Sequence, residues 1–207
     1  VIDAMFYILQ KIDNNKNIKD LIIKKINKQY KIASNKQFIL VTGHRRENFG
    51  QGFINICEAL KNIAMTNPNI DIVYPVHLNP NVQNIVNQKL SNISNIYLVS
   101  PLAYDTFIYL MSKSFIILTD SGGVQEEAPS LGKPVLVMRN TTERPEAINA
   151  GTVKLVGNDI DGIYKNVQRL IDNSDEYIKM SKSNNPYGDG FASKRIIKHI
   201  KAYFNDC

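Results

Sequence analysis

Apolar residues along this chain recur in two alternating rhythms. Short continuous runs, FILVT at 38–42, DIVY at 71–74, IYLV at 96–99, FIILT at 115–119, PVLVM at 134–138 and TVKLV at 152–156, are too brief for helices and rich in β-branched residues, so each predicts a buried strand. Between them the spacing stretches to that of a helix. Residues 53–65 place Phe53, Ile56, Cys57, Leu60 and Ala64 on one face, and 80–90 turn Val82, Ile85 and Val86 inward. YDTFIYLMSK and GVQEEAPSL continue the alternation, a short helical turn is expected at 145–150, and helices follow from Asp159 to the end. Two helix-like segments in residues 1–30 come first. The leading one carries Val1, Ile2, Met5, Ile8, Leu9 and Ile12 at helical spacing with no capping residue before it, the pattern expected of a helix cut from a longer chain.

Apolar strands separated by helices of about 10 to 15 residues are βαβ units, and they predict a doubly wound, Rossmann-like α/β domain with a parallel sheet covered on both faces. In such sheets ligands sit beyond the carboxyl ends of the strands, where the strand order reverses. Attention therefore falls on Gly43-His44-Arg45-Arg46-Glu47, on Pro75-Val76-His77, on Ser100-Pro101, on Asp120-Ser121-Gly122-Gly123 and on residues 139–144.

Composition narrows the class. With 207 residues, 43% of them hydrophobic, the chain can bury a core of its own. The net charge of +6 is spread over lysines that are densest in KNIKDLIIKKINKQYK, as solvated helix faces are, and clustered arginines interleaved with aromatics are missing; nucleic acid is not an expected partner. No apolar run reaches about 18 residues and no signal-peptide pattern opens the chain, so no membrane partner is expected, and a soluble chain of the cytoplasm is. Cys57 and Cys207 form neither a disulfide framework nor a metal spacing, and neither reads as reactive.

At the strand ends the chemistry is that of anion binding. Ser121-Gly122-Gly123 lets a backbone approach a ligand just where a helix N-terminus offers free N–H groups, which suits a diphosphate, although a plain tight turn needs no more than two glycines. Glu126 and Glu127 are expected in the first turn of that helix, where stability alone explains them, yet a carboxylate there is also placed to grip a pair of sugar hydroxyls. Arg144 reads either as a phosphate clamp or as a surface partner of Glu143 or Glu146. His44-Arg45-Arg46-Glu47 is the densest polar cluster and follows a strand that must be buried, so a ligand is its natural use, with His44 as acid, base or hydrogen-bond donor. His77 is a second strand-end histidine that could equally be satisfied by backbone. Phe107 would by itself be a core aromatic. Neither GxGxxG nor a P-loop is present, so no nicotinamide or ATP fingerprint is met.

Taken together, VTGHRRENFGQGF, VYPVHLNPNV, ILTDSGGVQEEAPSLGKPVLVMRNTTERPEA, AGTVKLVG and NPYGDGFAS resemble the C-terminal half of the non-hydrolysing UDP-N-acetylglucosamine 2-epimerases, over essentially all of residues 1–207. The resemblance implies a two-domain glycosyltransferase B fold with the active site in the interdomain cleft, a homodimeric whole, and no cofactor and no metal. It implies interconversion of UDP-GlcNAc and UDP-ManNAc, by loss of the C2 proton and of UDP to give a 2-acetamidoglucal, then re-addition of UDP. It makes His44 an active-site histidine near the diphosphate, Ser121, Gly122 and Gly123 the phosphate cradle, Glu127 the ribose ligand and Arg144 a further contact to UDP. Phe107 and the backbone around Leu102 would flank the uracil. Arg45 and His77 match residues that hold a second, regulatory UDP-GlcNAc in some bacterial members.

The same resemblance places the proton-transferring carboxylates in an N-terminal domain that this sequence does not include. Residues 1–30 then read as a helical segment after the interdomain crossover, expected to pack on the partner domain, and residues 31–207 as the UDP-binding domain. Two accounts follow: an epimerase half that binds UDP and needs its other half to turn over, or a non-catalytic nucleotide-binding or assembly module. A UDP-sugar glycosyltransferase shares the fold but not the HRREN and TERPEA segments.

Overall fold

Every apolar run named above becomes a strand, the four central ones buried and the two at the sheet edges, IYLV and TVKLV, partly exposed. The structure is a computed structural model and describes residues 1–32 and 36–205; Cys207 lies outside the described residues. Strands β1 (Phe38–Thr42), β2 (Asp71–Pro75), β3 (Ile96–Val99), β4 (Ile116–Thr119), β5 (Val135–Val137) and β6 (Val153–Leu155) form one sheet in the order β3-β2-β1-β4-β5-β6. All five pairings are parallel, with Leu40 of β1 opposite Val73 on one side and Ile117 on the other. The chain steps outward from β1 through β2 to β3, crosses back and continues from β4 on the other side of β1. Loops leaving β1 and β4 therefore diverge, and a crevice opens between their carboxyl ends.

Alternation along the strands fills two cores. Ile39, Val41, Ile72, Tyr74, Ile116, Leu118 and Leu136 face one layer, where α3 (Gln51–Thr66), α4 (Pro80–Leu90) and α8 (Ile160–Asp172) pack. Phe38, Leu40, Val73, Ile117, Val135 and Val137 face the other, against α1 (Ile2–Asp13), α2 (Lys16–Asn27), α5 (Tyr104–Lys113) and α6 (Gly122–Glu127). Central strands buried on both sides cannot alternate polar and apolar residues, which is why they read as unbroken apolar runs.

Several details depart from expectation. Helices α1 and α2 do not wait for a partner domain: Met5, Ile12, Ile22 and Ile26 are buried in the second core, in contact with α5. GVQEEAPSL is not one helix, because Pro129 lacks an N–H for an α-helical bond and the chain tightens into a 3-10 turn at Ala128–Leu131, closed by Gly132 at φ 65°. With α6 starting at Gly122, Glu126 and Glu127 end that short helix and lie outside its first turn. A 3-10 turn at Arg46–Asn48 was also unanticipated.

Helix α7 (Pro145–Asn149) lies between β5 and β6 in the chain, and α9 (Ser174–Ser181) and α10 (Ala192–Asn205) follow α8. Helix α10 stands apart from both cores, with Ile196, Ile197, Ile200, Tyr203 and Phe204 each more than half exposed. Among the described residues no helix is long and apolar enough to cross a membrane. Cys57 is buried in α3, and burial pushes its thiol up to about 12, so it stays protonated and inert.

Candidate functional site

The crevice between β1 and β4 is organised by a buried carboxylate. Asp120, the residue after β4, is fully buried, and its Oδ2 accepts the backbone N–H groups of His44 and Arg45, both at 2.8 Å, and the Asn48 amide at 3.4 Å. The Tyr74 hydroxyl donates to the Gly43 carbonyl at 2.7 Å, and Asn48 also donates to the Met138 carbonyl at 3.2 Å. The His-Arg-Arg-Glu loop is thereby pinned to β2, β4 and β5 at once. The side chains of its first two residues lie toward the outside: His44 is exposed and Arg45 half-buried.

A cavity of about 230 Å³ opens beside that loop, lined among others by His44, His77, Leu102, Phe107, Ser121 and Val124. Five of the ten residues singled out in the sequence thus share one wall, although they come from four different strand ends. The His44 and His77 rings stack, 4.8 Å between centroids and 12° from parallel. His77 is not a core histidine satisfied by strand backbone; it is exposed, and its Nδ1 accepts the Asn79 N–H at 3.1 Å. Phe107 is half-buried, packs against the second core and also edges the cavity.

Ser121 caps α6 without using its hydroxyl in a cap bond, and Gly123 has open space above its Cα, where an added Cβ would meet nothing closer than the Ser121 hydroxyl at 4.0 Å. Over Gly122 two guanidinium groups converge: terminal nitrogens of Arg144 and Arg45 lie 3.5 and 3.6 Å from the point a Cβ would occupy. Two guanidinium groups in that position can receive an anion, although one of them already shares its charge with Glu126. Arg144 is steadied there by Glu126, to which its Nε donates at 2.5 Å; its carboxylate partner is thus neither Glu143 nor Glu146, and from Glu143 it takes only the backbone carbonyl, at 3.4 Å. That bond also holds the Arg144 guanidinium charged beyond its ordinary value. The loop carrying Arg144 is tied to α6 a second time by Thr142, whose hydroxyl donates to Gln125 at 2.7 Å.

Glu127 is 7% exposed, and its Oε1 accepts the Tyr104 hydroxyl at 2.6 Å. Burial raises the Glu127 pKa from its usual value, and the Tyr104 bond partly opposes the shift. Behind the loops, Arg139 is 3% exposed and donates to both Glu47 and Glu143, the latter at 2.8 and 2.9 Å through its two terminal nitrogens. The pair pulls the Glu143 carboxyl down to about 2. Arg139 thus locks the loop after β1 to the loop after β5.

Three contributors escaped the sequence reading: Asp120 as the loop anchor, Tyr104 as the partner of Glu127, and Arg139 as the lock. Asp120 had a signal, a carboxylate closing a strand that must be central. Arg139 fell within the strand-end segment 139–144, but its tie to Glu47, 92 residues away, had no local signal, and neither had the tie of Tyr104 to Glu127.

A parallel sheet in this order, with its polar loops gathered at the switch point, is a Rossmann-like domain of the kind found in the glycosyltransferase B fold. The family model for UDP-N-acetylglucosamine 2-epimerase matches residues 1–201, and the chain belongs to that family. It is 66% identical over 197 residues to a UDP-N-acetylglucosamine 2-epimerase of Campylobacter jejuni, covering 95% of this chain and 51% of that protein. It is similar to the crystal structure of UDP-GlcNAc 2-epimerase from Neisseria meningitidis bound to UDP-GlcNAc, with 47% identity and a TM-score of 0.89 over 97% of this chain and 53% of that one. A co-structure of S. aureus MnaA with UDP gives 44% identity and a TM-score of 0.84, over 99% and 53% of the two chains. The chain spans about half the length of the relatives it matches.

Proposed function

We propose that this chain is the UDP-holding half of an epimerase that interconverts UDP-GlcNAc and UDP-ManNAc. The observation that carries the reading is the convergence of Arg144 and Arg45 over Gly122, beside a cavity lined by Leu102 and Phe107. A diphosphate fits under the two guanidinium groups, with Ser121 and the N–H groups of Gly122 and Gly123 beneath it. Uracil lies between Phe107 and the backbone at Leu102, and Glu127 takes the ribose hydroxyls. That the Neisseria relative binds UDP-GlcNAc supports the same ligand here.

In the reaction the C2 proton leaves to a base while the C1–O bond breaks toward UDP, leaving a C1–C2 double bond in the sugar; UDP and a proton then re-add with the opposite configuration at C2. Negative charge grows on the departing diphosphate, and Arg144, Arg45 and Ser121 stabilise it where it develops. His44 is the catalytic residue of this half, donating a hydrogen bond or proton to the leaving diphosphate. The carboxylates that move the C2 proton belong to the other half of the protein. His77 borders the cavity and Arg45 reaches over Gly122 beside it, so a second, regulatory UDP-GlcNAc held by them would lie against the first and share the Arg45 guanidinium with it.

The exposed apolar residues of α10, together with a groove of about 840 Å³ lined by Phe6 and Tyr7 of α1 and by Phe191, are the surface we assign to contact with that other half. Titration calorimetry with UDP, and NMR detection of UDP-ManNAc with and without a matching N-terminal half, test the reading. Expected are UDP binding by this chain alone, no turnover alone, and turnover once the halves are mixed. Absence of UDP binding would refute the site; binding without restored turnover would favour a non-catalytic module.

A further inference from the structure

Resting on that reading of the site, we infer that Tyr104 is a positioning residue that aims Glu127 at the ribose and so makes the site select ribonucleotides over deoxyribonucleotides. An ionised carboxylate only accepts hydrogen bonds, and the Tyr104 hydroxyl fills Oε1 of Glu127 at 2.6 Å. Among the described residues no other hydrogen bond reaches this carboxylate, so Oε2 is left to a ligand. Without the tyrosine the group could rotate and spread both oxygens over several orientations; with it, one oxygen is fixed and the other points in one direction.

Tyr104 also stands where such a role requires. It opens α5, and Phe107, three residues on and so on the same side of the helix, lines the cavity assigned to uracil. One helix end thus carries both the aromatic that would meet the base and the hydroxyl that orients the sugar's partner. The residue is 43% exposed, so its place is not explained by core packing, and a tie between α5 and α6 is the only competing use of the bond. Glu127, by contrast, is nearly buried and cannot reorient toward solvent to satisfy itself. Its position depends on the partner it has.

Calorimetric titration of the 207-residue chain and its Tyr104→Phe variant with UDP and with 2′,3′-dideoxy-UDP tests this. The expected result is a loss of UDP affinity of about five- to tenfold in Tyr104→Phe, the factor one net hydrogen bond represents, and less than a twofold change for the dideoxy analogue. Equal losses for the two ligands would make the tyrosine merely structural and overturn the inference, as would unchanged UDP affinity. If the unaltered chain binds UDP and the analogue equally well, the assignment of Glu127 fails and the inference with it. Should the unaltered chain bind neither, the site as a whole is refuted.

Discussion

Asp120 holds the backbone of His44 in place: one carboxylate oxygen accepts the N–H groups of His44 and Arg45, each at 2.8 Å, across a gap of 76 and 75 residues in sequence. The bond joins the loop after β1 to the end of β4, which are the two sides of the crevice. Removing it leaves two backbone donors unpaired in a partly buried place. Asp120→Ala is expected to destabilise the chain by roughly 2–4 kcal/mol, read from urea unfolding, and to weaken UDP binding at least tenfold. Full stability in this variant would show that the loop is held by other means.

Arg144 is fixed toward Gly122 by Glu126, and its planar fork can meet two phosphate oxygens at once. Arg144→Ala should cost about 2 kcal/mol of UDP affinity, and Arg144→Lys should recover only part, because an ammonium is a point charge. Titrations at two salt concentrations check the cause: the wild-type affinity should fall more steeply with salt than that of Arg144→Ala.

Glu127 carries a raised pKa because burial penalises its charged form. Its protonated form gives up an acceptor site, so UDP affinity should fall on acidification at a pH above the ordinary carboxylate range, and Glu127→Gln should be weaker throughout and flat over that interval. For stability the sign is opposite to that of a salt-bridged carboxylate. The unfolded chain ionises first as pH rises, so the contribution of this group declines from the unfolded pKa up through the folded one and is then constant. Matched titration and unfolding series at several pH values would expose either error.

Glu143 is a depressed carboxylate, down to about 2, through its bonds to Arg139. What the pair adds to stability is present above the unfolded value near 4.5 and lost as pH falls toward about 2. In Glu143→Gln the acid limb of the stability profile should flatten between those limits relative to wild type. Identical profiles would mean the pair is also formed in the unfolded chain or not formed at all.

Helix α10 exposes Ile196 and Ile200 to solvent at 58% and 51%. Lysine at both should change the stability of this chain by less than about 0.5 kcal/mol, as for surface positions generally, while abolishing turnover restored by a matching N-terminal half. Undiminished turnover would move the contact elsewhere.

Much of this was readable from residue order because a buried parallel strand must be apolar on both faces and its crossover must be helical. FIILT followed by Asp120 and Ser121 could hardly be anything but a central strand opening on a loop. Helix α6 was misjudged in extent, since Pro129 ends it after six residues and moves both glutamates out of the first turn. The partner of Arg144 was misjudged too. Local spacing offered Glu143 and Glu146, whereas the fold brought Glu126 from the neighbouring helix.

The sequence by itself determined the alternation of strands and helices, the parallel class of the sheet, and the polar residues gathered at the strand ends, because periodicity and glycine or proline placement act over a few neighbours. Only the tertiary structure decided that β1 and β4 lie side by side, that two arginines 99 residues apart meet over Gly122, and that Tyr104 supports Glu127. Those pairings depend on how elements distant in the chain pack on one sheet, and no local pattern encodes the distance between them.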